Sequence, residues 1–274
     1  MKKNKNIIVW SNHPHPPIHS VEHWRDPLEN VLIGAGYDSK QPPMSDLLKW
    51  YHNLLGDWVV ISPVYFHTTH NDSVIAQCGP RLNLDDERGR WYFDKISDFF
   101  QQEGIRLHYH SPTLWLGQMN EPVLINSFSP SYLHNKSLMP YLAQLGDDMV
   151  WQKRMTEAQM YLHTLQPMTQ SSSIVNGVWF WGQGELSLSK KVMISDDANM
   201  MRLADIWPDM TIKSPFEAKN VYESELIVLT EYCEETLAII ERACRSFSCN
   251  WSWNNITYQQ PAKRWWQMLR RTSL

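Results

Sequence analysis

The chain has 274 residues and a mass of 32.3 kDa, enough for one large domain or two small ones at the usual domain length of roughly 100–200 residues. Its hydrophobic fraction of 43% and charged fraction of 20% exclude a disordered chain and a collagen-like repeat. Lys and Arg number 25 against 29 Asp and Glu, a formal charge of −4, so no general positive field exists to hold nucleic acid or an anionic membrane. Fourteen Trp against eleven Gly mean few flexible points and many large side chains to bury. Four cysteines without a C-x-x-C fit reduced thiols in a cytoplasm. Cys244 and Cys249 are close enough in sequence to pair, but Cys233 and Cys244 fall on a helical apolar face, where the usual role is a small buried hydrophobe. The apolar run Ile7 to Trp10 is shorter than the roughly 7–15-residue core of a signal peptide. No stretch approaches the roughly 20 apolar residues of a membrane span. The expectation is a cytoplasmic protein with no integral membrane association, whose sequons at Asn71, Asn135, Asn250 and Asn255 stay unmodified.

In chain order, residues 1–42 read as an irregular segment, because Pro14, Pro16 and Pro17 interrupt His13, His15, His19 and His23. Met44, Leu47, Leu48, Tyr51 and Leu55 recur at helical spacing, with Ser45 as a cap, and a strand follows from Trp58 to Phe66. Asp94 to Glu103 is a short helix ended by Gly104, before a strand from Ile105 to His110. Trp151, Met155, Ala158, Leu162 and Leu165 form one stripe on a helix from Asp147 to Leu165, which Pro167 stops. A Ser-rich link at 170–173 leads to a strand, Ile174 to Trp181, broken by Gly182-Gln183-Gly184. Next come a strand at Lys191 to Ser195, a helix at Asp197 to Ile206 and a buried strand within Glu225 to Thr230. A helical stripe through Cys233, Leu237, Ile240, Cys244 and Phe247 follows, and its start is open as far back as Leu226. Cys249, Trp251 and Trp253 alternate as in a half-buried strand, and the tail from Pro261 is basic and aromatic. Strands separated by helices predict an α/β protein with a mixed sheet and flanking helices. Residues 43–274 would form a single domain, or two closely packed lobes joined near 166–175.

All eleven histidines lie between positions 13 and 163. His67 with His70, and His108 with His110, have metal-like spacings, and Asp72 adds an oxygen. No G-x-S-x-G, G-x-x-x-x-G-K-[ST] or G-x-G-x-x-G occurs, which removes the main support for α/β-hydrolase, P-loop and simple Rossmann chemistry. The more unusual constellation runs from Trp151 to Gly184. Gln159 and His163 are i, i+4 neighbours beside the apolar stripe, whereas Arg154 and Glu157 share another face as an ion pair. Trp179 and Trp181 point to one side of a strand whose Gly182-Gln183-Gly184 end can cradle an anion through backbone N–H groups. The simpler alternative is two core Trp and a tight turn.

On these residues the chain resembles regulatory proteins of the RpfE type, related to the archaeal-type cofactor-independent phosphoglycerate mutases of the alkaline phosphatase superfamily. Their block N-E-x-Q-M-x-L-x-x-H-P-x-N followed by x-N-S-x-W-x-W-G-x-G is matched by Glu157, Gln159, Met160, Leu162, Asn176, Trp179, Trp181, Gly182 and Gly184, with Thr156 replacing the first Asn and with His163 and Pro167 off the family's His-Pro spacing. WVVISPVYFHTTHND, SLSKKVMISDDANMMRLAD and KRWWQMLRRTSL resemble further family segments. The resemblance implies a degenerate phosphoglycerate-mutase-like scaffold. A working mutase of that superfamily needs an Asp-Gly, a Ser or Thr nucleophile, and Asp-x-x-x-His and Asp-His ligand pairs around two cations. This chain has no Asp-Gly, no Asp-His and no Asp followed four residues later by His.

The expected function is therefore a non-catalytic regulatory or ligand-binding protein without a cofactor, whose partner is another protein or a small anionic metabolite and not nucleic acid. Its candidate ligand-binding residues are Glu157, Gln159, His163, Asn176, Trp179, Trp181, Gly182, Gln183 and Gly184. The alternative is a metal-dependent hydrolase or phosphotransferase holding Mn or Zn through His67, His70, His108 and His110. In the tail, burying Trp265 and Trp266 at about 2–3 kcal/mol each outweighs the roughly 1 kcal/mol that Lys263, Arg264, Arg270 and Arg271 would each gain at an anionic leaflet. Deleting residues 262–274 is therefore expected to lower solubility and melting temperature. A truncated chain that melts like the full one but no longer pellets with anionic vesicles would assign the tail to a membrane surface.

Overall fold

The computed structural model describes residues 4–120, 124–146, 149–165, 175–186, 191–196, 200, 207, 210–213, 216–230 and 233–262. The Ser-rich link, most of the helix expected at Asp197 to Ile206 and the tail beyond Ala262 lie outside the described residues. In chain order the elements are β1 (Lys5–Val9), β2 (Val21–Glu22), α1 (Pro27–Ala35), α2 (Met44–Tyr51), β3 (Asp57–Thr68), β4 (Ser73–Cys78), a 3-10 turn (Gly79–Leu82), α3 (Asp86–Gln101), β5 (Arg106–Ser111) and β6 (Leu114–Met119). They continue with α4 (Pro130–Leu133), α5 (Met139–Leu142), α6 (Val150–Thr164), β7 (Gly177–Trp181), β8 (Lys191–Ser195), β9 (Met210–Lys213), α7 (Ala218–Glu223), β10 (Leu226–Leu229), α8 (Glu234–Cys244), β11 (Cys249–Trp253) and β12 (Ile256–Gln260). The result is a mixed α/β architecture with two sheets and flanking helices. Among the described residues no helix is long and apolar enough to cross a membrane. The chain divides into two units, Met1–Gly36 with Ser187–Leu274, and Tyr37–Leu186. The boundaries fall at Gly36 and Leu186, so the second unit is an insertion within the first and not one of two consecutive lobes joined near 166–175.

The first unit is built on a seven-stranded sheet in the order β2-β12-β11-β1-β10-β8-β9. β11, β1, β10, β8 and β9 run parallel, and β12 and β2 close one side antiparallel. β1 lies inside this sheet, hydrogen-bonded to β10 on one side and β11 on the other, with Ile7, Ile8 and Val9 all buried. A parallel strand covered on both faces is a continuous apolar run without alternation. The segment 1–42 is thus not irregular throughout. α1 begins with Asp26, whose carboxylate accepts from Leu28 N, then Pro27 at the first helical position, and it ends at Gly36 in the left-handed region. Gly34 lets this helix approach the sheet, because a Cβ there would sit 2.9 Å from both Ile8 Cδ1 and Leu226 Cδ1. α1 thus covers the face bearing Ile8 and Leu226. α7 and α8 cover the other, where Val221, Ile240 and Cys244 pack with Ile7, Val9, Ile227 and Leu229.

In the second unit the twelve-residue β3 has three antiparallel partners. β6 pairs with its first part, β4 with its last part, and β7 runs along the opposite edge from Val60 to Val64, while β5 extends the sheet beyond β6. Tyr109 of β5 and Phe180 of β7 pack on α3 and α6 through Phe93, Phe100 and Trp151. Side chains alternate along a strand, so Trp179 and Trp181 turn to the opposite face, where α2 lies. Their indoles donate to Phe128 O and Ser62 Oγ, each at 2.9 Å. α3 starts at Asp86, earlier than its apolar spacing indicates, because Asp85 caps it through Arg88 N and buried Gly89 fits against Pro112. Trp181 is 2% exposed and fully hydrogen-bonded. Trp181→Ala is expected to lower stability by about 3–5 kcal/mol in chemical denaturation of the full chain, and a wild-type midpoint would contradict its place in the core.

Candidate functional site

The residues expected to bind ligand fall in three places within the second unit. Asn176 pairs its side chain with both backbone polar groups of Phe66, accepting from Phe66 N at 2.7 Å and donating to Phe66 O at 2.8 Å. The adjacent Gly177 lies under the Phe66 ring, which a Cβ would strike. With Trp179 and Trp181 these residues form the β3–β7 seam. Gly182, at φ +82°, accepts from Ser45 N, Gln183 Oε1 accepts from Ile125 N at 2.7 Å, and the Leu186 N–H goes to Asp46. Gln183 and Gly184 border a cleft of about 230 Å³ with Ser45, Asp46, Lys49, Asp57 and Trp58. Glu157 and His163 line a separate shallow groove with Phe99, Glu103, Met160 and Tyr161, on the α3 and α6 side, and Gln159 sits half-buried on the same helix. The cleft and groove occupy opposite faces of the sheet. Arg154 pairs with Glu103 at 3.5 Å and Glu157 with Lys153 at 3.8 Å, in place of the expected Arg154–Glu157 pair. A partner from α3 takes the guanidinium once the two helices pack.

The two histidine pairs do not meet. His67 and His70 are exposed at the β3–β4 hairpin, and Asp72 is committed there to Ser73 N and Ser137 Oγ, each at 2.8 Å. His108 aligns through Leu116 with Val60 of β3. His67 is seven residues farther along β3, about 24 Å at roughly 3.4 Å per residue. Among the described residues no group of three or more His, Cys, Asp or Glu is arranged to hold a metal ion. His108 and His110 instead meet His52 at the end of α2. His52 Nε2 and His110 Nδ1 are 2.9 Å apart, and the His52 and His108 rings lie 4.4 Å apart, centre to centre. Burial, reinforced by His108, pushes His52 down to about 4. Burial with the neighbouring His52 and His108 pushes His110 down to about 4, and burial also lowers His108. Three uncharged imidazoles therefore share this face at neutral pH.

A second arrangement belongs to the first unit and to residues that spacing alone does not mark. Adjacent parallel strands β1 and β10 are followed by α1 and α8 on opposite faces, which makes a topological switch point, and such sheets bind ligands outside the carboxyl ends of their strands there. Trp10, Ser11, Asn12 and His13 follow β1, Thr230 follows β10, Asp196 follows β8, and Asn254 and Asn255 follow β11. Asp196 Oδ1 accepts from both Thr230 N and Thr230 Oγ, at 2.9 and 3.2 Å. The His13 backbone N–H donates to Asn255 Oδ1 and the Asn254 N–H to Ser11 O. Trp10 Nε1, Ser11 Oγ, Asn30 Oδ1 and Asn254 Oδ1 are buried without a hydrogen-bond partner among the described residues. An unsatisfied buried polar group costs about 1–3 kcal/mol, and four such atoms at one sheet edge are the chemistry of a polar ligand site. Among the described residues named at this edge Asp196 is the one carboxylate, and it is engaged by Thr230. A turn after an apolar strand at residue 9 is the signal that would have found it.

No family profile matches this chain, and no curated protein does. Among solved structures it is similar to a cofactor-independent phosphoglycerate mutase from Thermoplasma acidophilum DSM 1728, at 11% identity and a TM-score of 0.36 over 95% of this chain and 90% of that one.

The histidine cluster has a pH consequence whose sign follows from its lowered values. Between about 6.5 and about 4 the unfolded chain binds protons that folded His52 and His110 refuse, so their contribution to stability is lost as pH falls through that window. Asp26, which burial pushes up to about 7, acts in the opposite sense. The comparison to make is therefore wild type against His110→Phe, and the wild type is expected to lose more stability between pH 6.5 and pH 4. Equal losses, or His52 and His110 imidazole proton resonances titrating near 6.5, would contradict the cluster.

Proposed function

We propose that this chain is a non-catalytic, cytoplasmic ligand-binding protein of regulatory character, akin to the RpfE-type proteins it resembles, and that the carboxyl edge of its parallel sheet binds a small anionic metabolite. The observation that carries the reading is the β1–β10 switch point, fringed by the unpartnered buried atoms of Trp10, Ser11, Asn30 and Asn254. Indole N–H and hydroxyl groups donate to an anion without themselves carrying charge, and the amide groups of Asn12, Asn254 and Asn255 supply further donors. An anion that accepts from Trp10 Nε1 and Ser11 Oγ recovers the cost of leaving those two groups unpaired, whereas Asn30 Oδ1 and Asn254 Oδ1 are acceptors that a hydroxyl on the same metabolite would serve.

The non-catalytic part rests on side chains. Phosphoryl transfer by the mutase mechanism needs carboxylates and imidazoles around two cations to clamp the entering and leaving oxygens. The chain has no Asp-Gly, no Asp-His and no His after position 163. Of the RpfE-like motif residues, Asn176, Trp179 and Trp181 serve the β3–β7 seam, so that motif supports a shared core more than shared chemistry.

The test uses the full chain with 3-phosphoglycerate as probe. With Mn present no conversion to 2-phosphoglycerate is expected, while ligand at 100 times its Kd should stabilise the fold by about 2.7 kcal/mol, seen as a raised melting temperature. A Ser11→Ala, Asn254→Ala double variant should lose that shift. Turnover that a chelator abolishes would overturn the non-catalytic reading. A shift unchanged in the double variant, or no shift at all, would overturn the proposed site for this ligand.

A further inference from the structure

Far from that edge, at the amino end of β11, two thiols and a lysine amine are buried together. Cys244 closes α8, Cys249 opens β11 five residues later, and they are 5% and 2% exposed. Lys5 is the register partner of Cys249 in the parallel β1–β11 ladder, so the two side chains stand side by side on one face. The Lys5 ammonium is itself buried, donates to the carbonyls of Val221, Tyr222 and Ser224, and lies 4.4 Å from the centre of the Phe247 ring. Cys249 Sγ is 3.9 Å from the carbonyl oxygens of Cys244 and Phe247, to which its thiol donates, so it sits against the residue that closes α8.

We propose that Cys244 and Cys249 form a peroxide-sensitive dithiol that closes to an intramolecular disulfide, Cys249 being the attacking sulfur and Cys244 the resolving one. The assignment of roles follows the surroundings. The hydrogen bond from the Cys244 thiol, helped by the Lys5 charge and opposed by burial, holds Cys249 below the ordinary thiol range. The same hydrogen bond, together with burial, drives Cys244 upward. The exposed Cys233 at the start of α8 is the natural competitor, because N–H groups of the first turn also lower it.

The chemistry balances with hydrogen peroxide as the oxidant. The Cys249 thiolate attacks one peroxide oxygen, the O–O bond breaks, and the departing hydroxide takes a proton to become water, leaving a sulfenic acid on Cys249. Cys244 sulfur then attacks Cys249 sulfur, the S–O bond breaks, and the leaving hydroxide accepts the Cys244 proton as a second water. Two thiols lose two electrons, and peroxide is reduced to two waters. The bridge ties the end of α8 to the start of β11 and spans Arg245 to Ser248.

Arg245 makes the product easy to read, because trypsin cuts between the two cysteines. Folded full-length protein is treated with hydrogen peroxide, denatured, alkylated and digested. The expected result is the peptide ending at Arg245 joined to the one beginning at Ser246, short of two hydrogens. The linkage should be reversed by dithiothreitol and absent from Cys244→Ser. Recovery of both cysteines as alkylated thiols while Cys233 is oxidised would overturn the proposal, and so would Cys249 as sulfinic or sulfonic acid without a bridge. If Cys244→Ser does not fold, the wild-type peptide map alone decides between these outcomes.

Discussion

β1 has no free edge. Its five residues are hydrogen-bonded to β10 along one side and to β11 along the other, with Ile7, Ile8 and Val9 shut off from water. Each neighbouring feature of the first unit inherits that confinement. Both faces of β1 must be covered, so α1 takes one and α7 with α8 the other. Its first residue, a lysine, is trapped in the same interior, where burial lowers its pKa, and its amine donates to three carbonyls at the end of α7, in the arrangement that favours a cation at a helix C-terminus. Its last residue delivers the chain to the edge where Trp10 and Ser11 lie.

Legibility in the sequence followed the range of the interactions involved. Leu226 to Leu229 reads as a buried strand because four consecutive apolar residues leave no polar face for solvent, and the structure ends the ambiguity about the following helix by starting it at Glu234. The α6 stripe was equally plain, since Trp151, Met155, Ala158 and Leu162 repeat at local spacing and are all buried. Local signals failed at β1, whose burial depends on partners more than two hundred residues away and whose flanking prolines and histidines speak for a loop. They failed again at Arg154, where i, i+3 spacing pointed to Glu157 but α3 brought Glu103. His52 was invisible as a partner of His108 and His110 because only sheet formation sets the end of α2 beside β5.

The Trp-rich motif shows how a memorable pattern and a site can part company. Asn176 reproduces a backbone hydrogen-bond pair with its side-chain amide, Gly177 makes room for Phe66, and the indoles of Trp179 and Trp181 satisfy Phe128 O and Ser62 Oγ. Each is demanding chemistry, and all of it is spent on holding β7 against β3. The loop residues at the carboxyl edge carry no comparable pattern, and only the strand order reveals that they meet.

Because residues 37–186 are inserted between α1 and the remaining strands, the order of synthesis and the order of assembly conflict. β1 leaves the ribosome well before its partners, which are Leu226 to Leu229 and Cys249 to Trp253, the latter 244 positions later in register. At about 5–20 residues per second that delay is on the order of 10–50 s. Until Leu226 to Leu229 are made, that apolar strand has neither of its ladder partners, whereas the strands of the inserted unit all lie within residues 57–181. Lys2, Lys3 and Lys5 immediately before Ile7 and Ile8 give the nascent segment a local positive charge, the type of flanking residue that restrains association between exposed strands. The lysine that ends as a buried cation in the finished protein thus begins as a guard against aggregation.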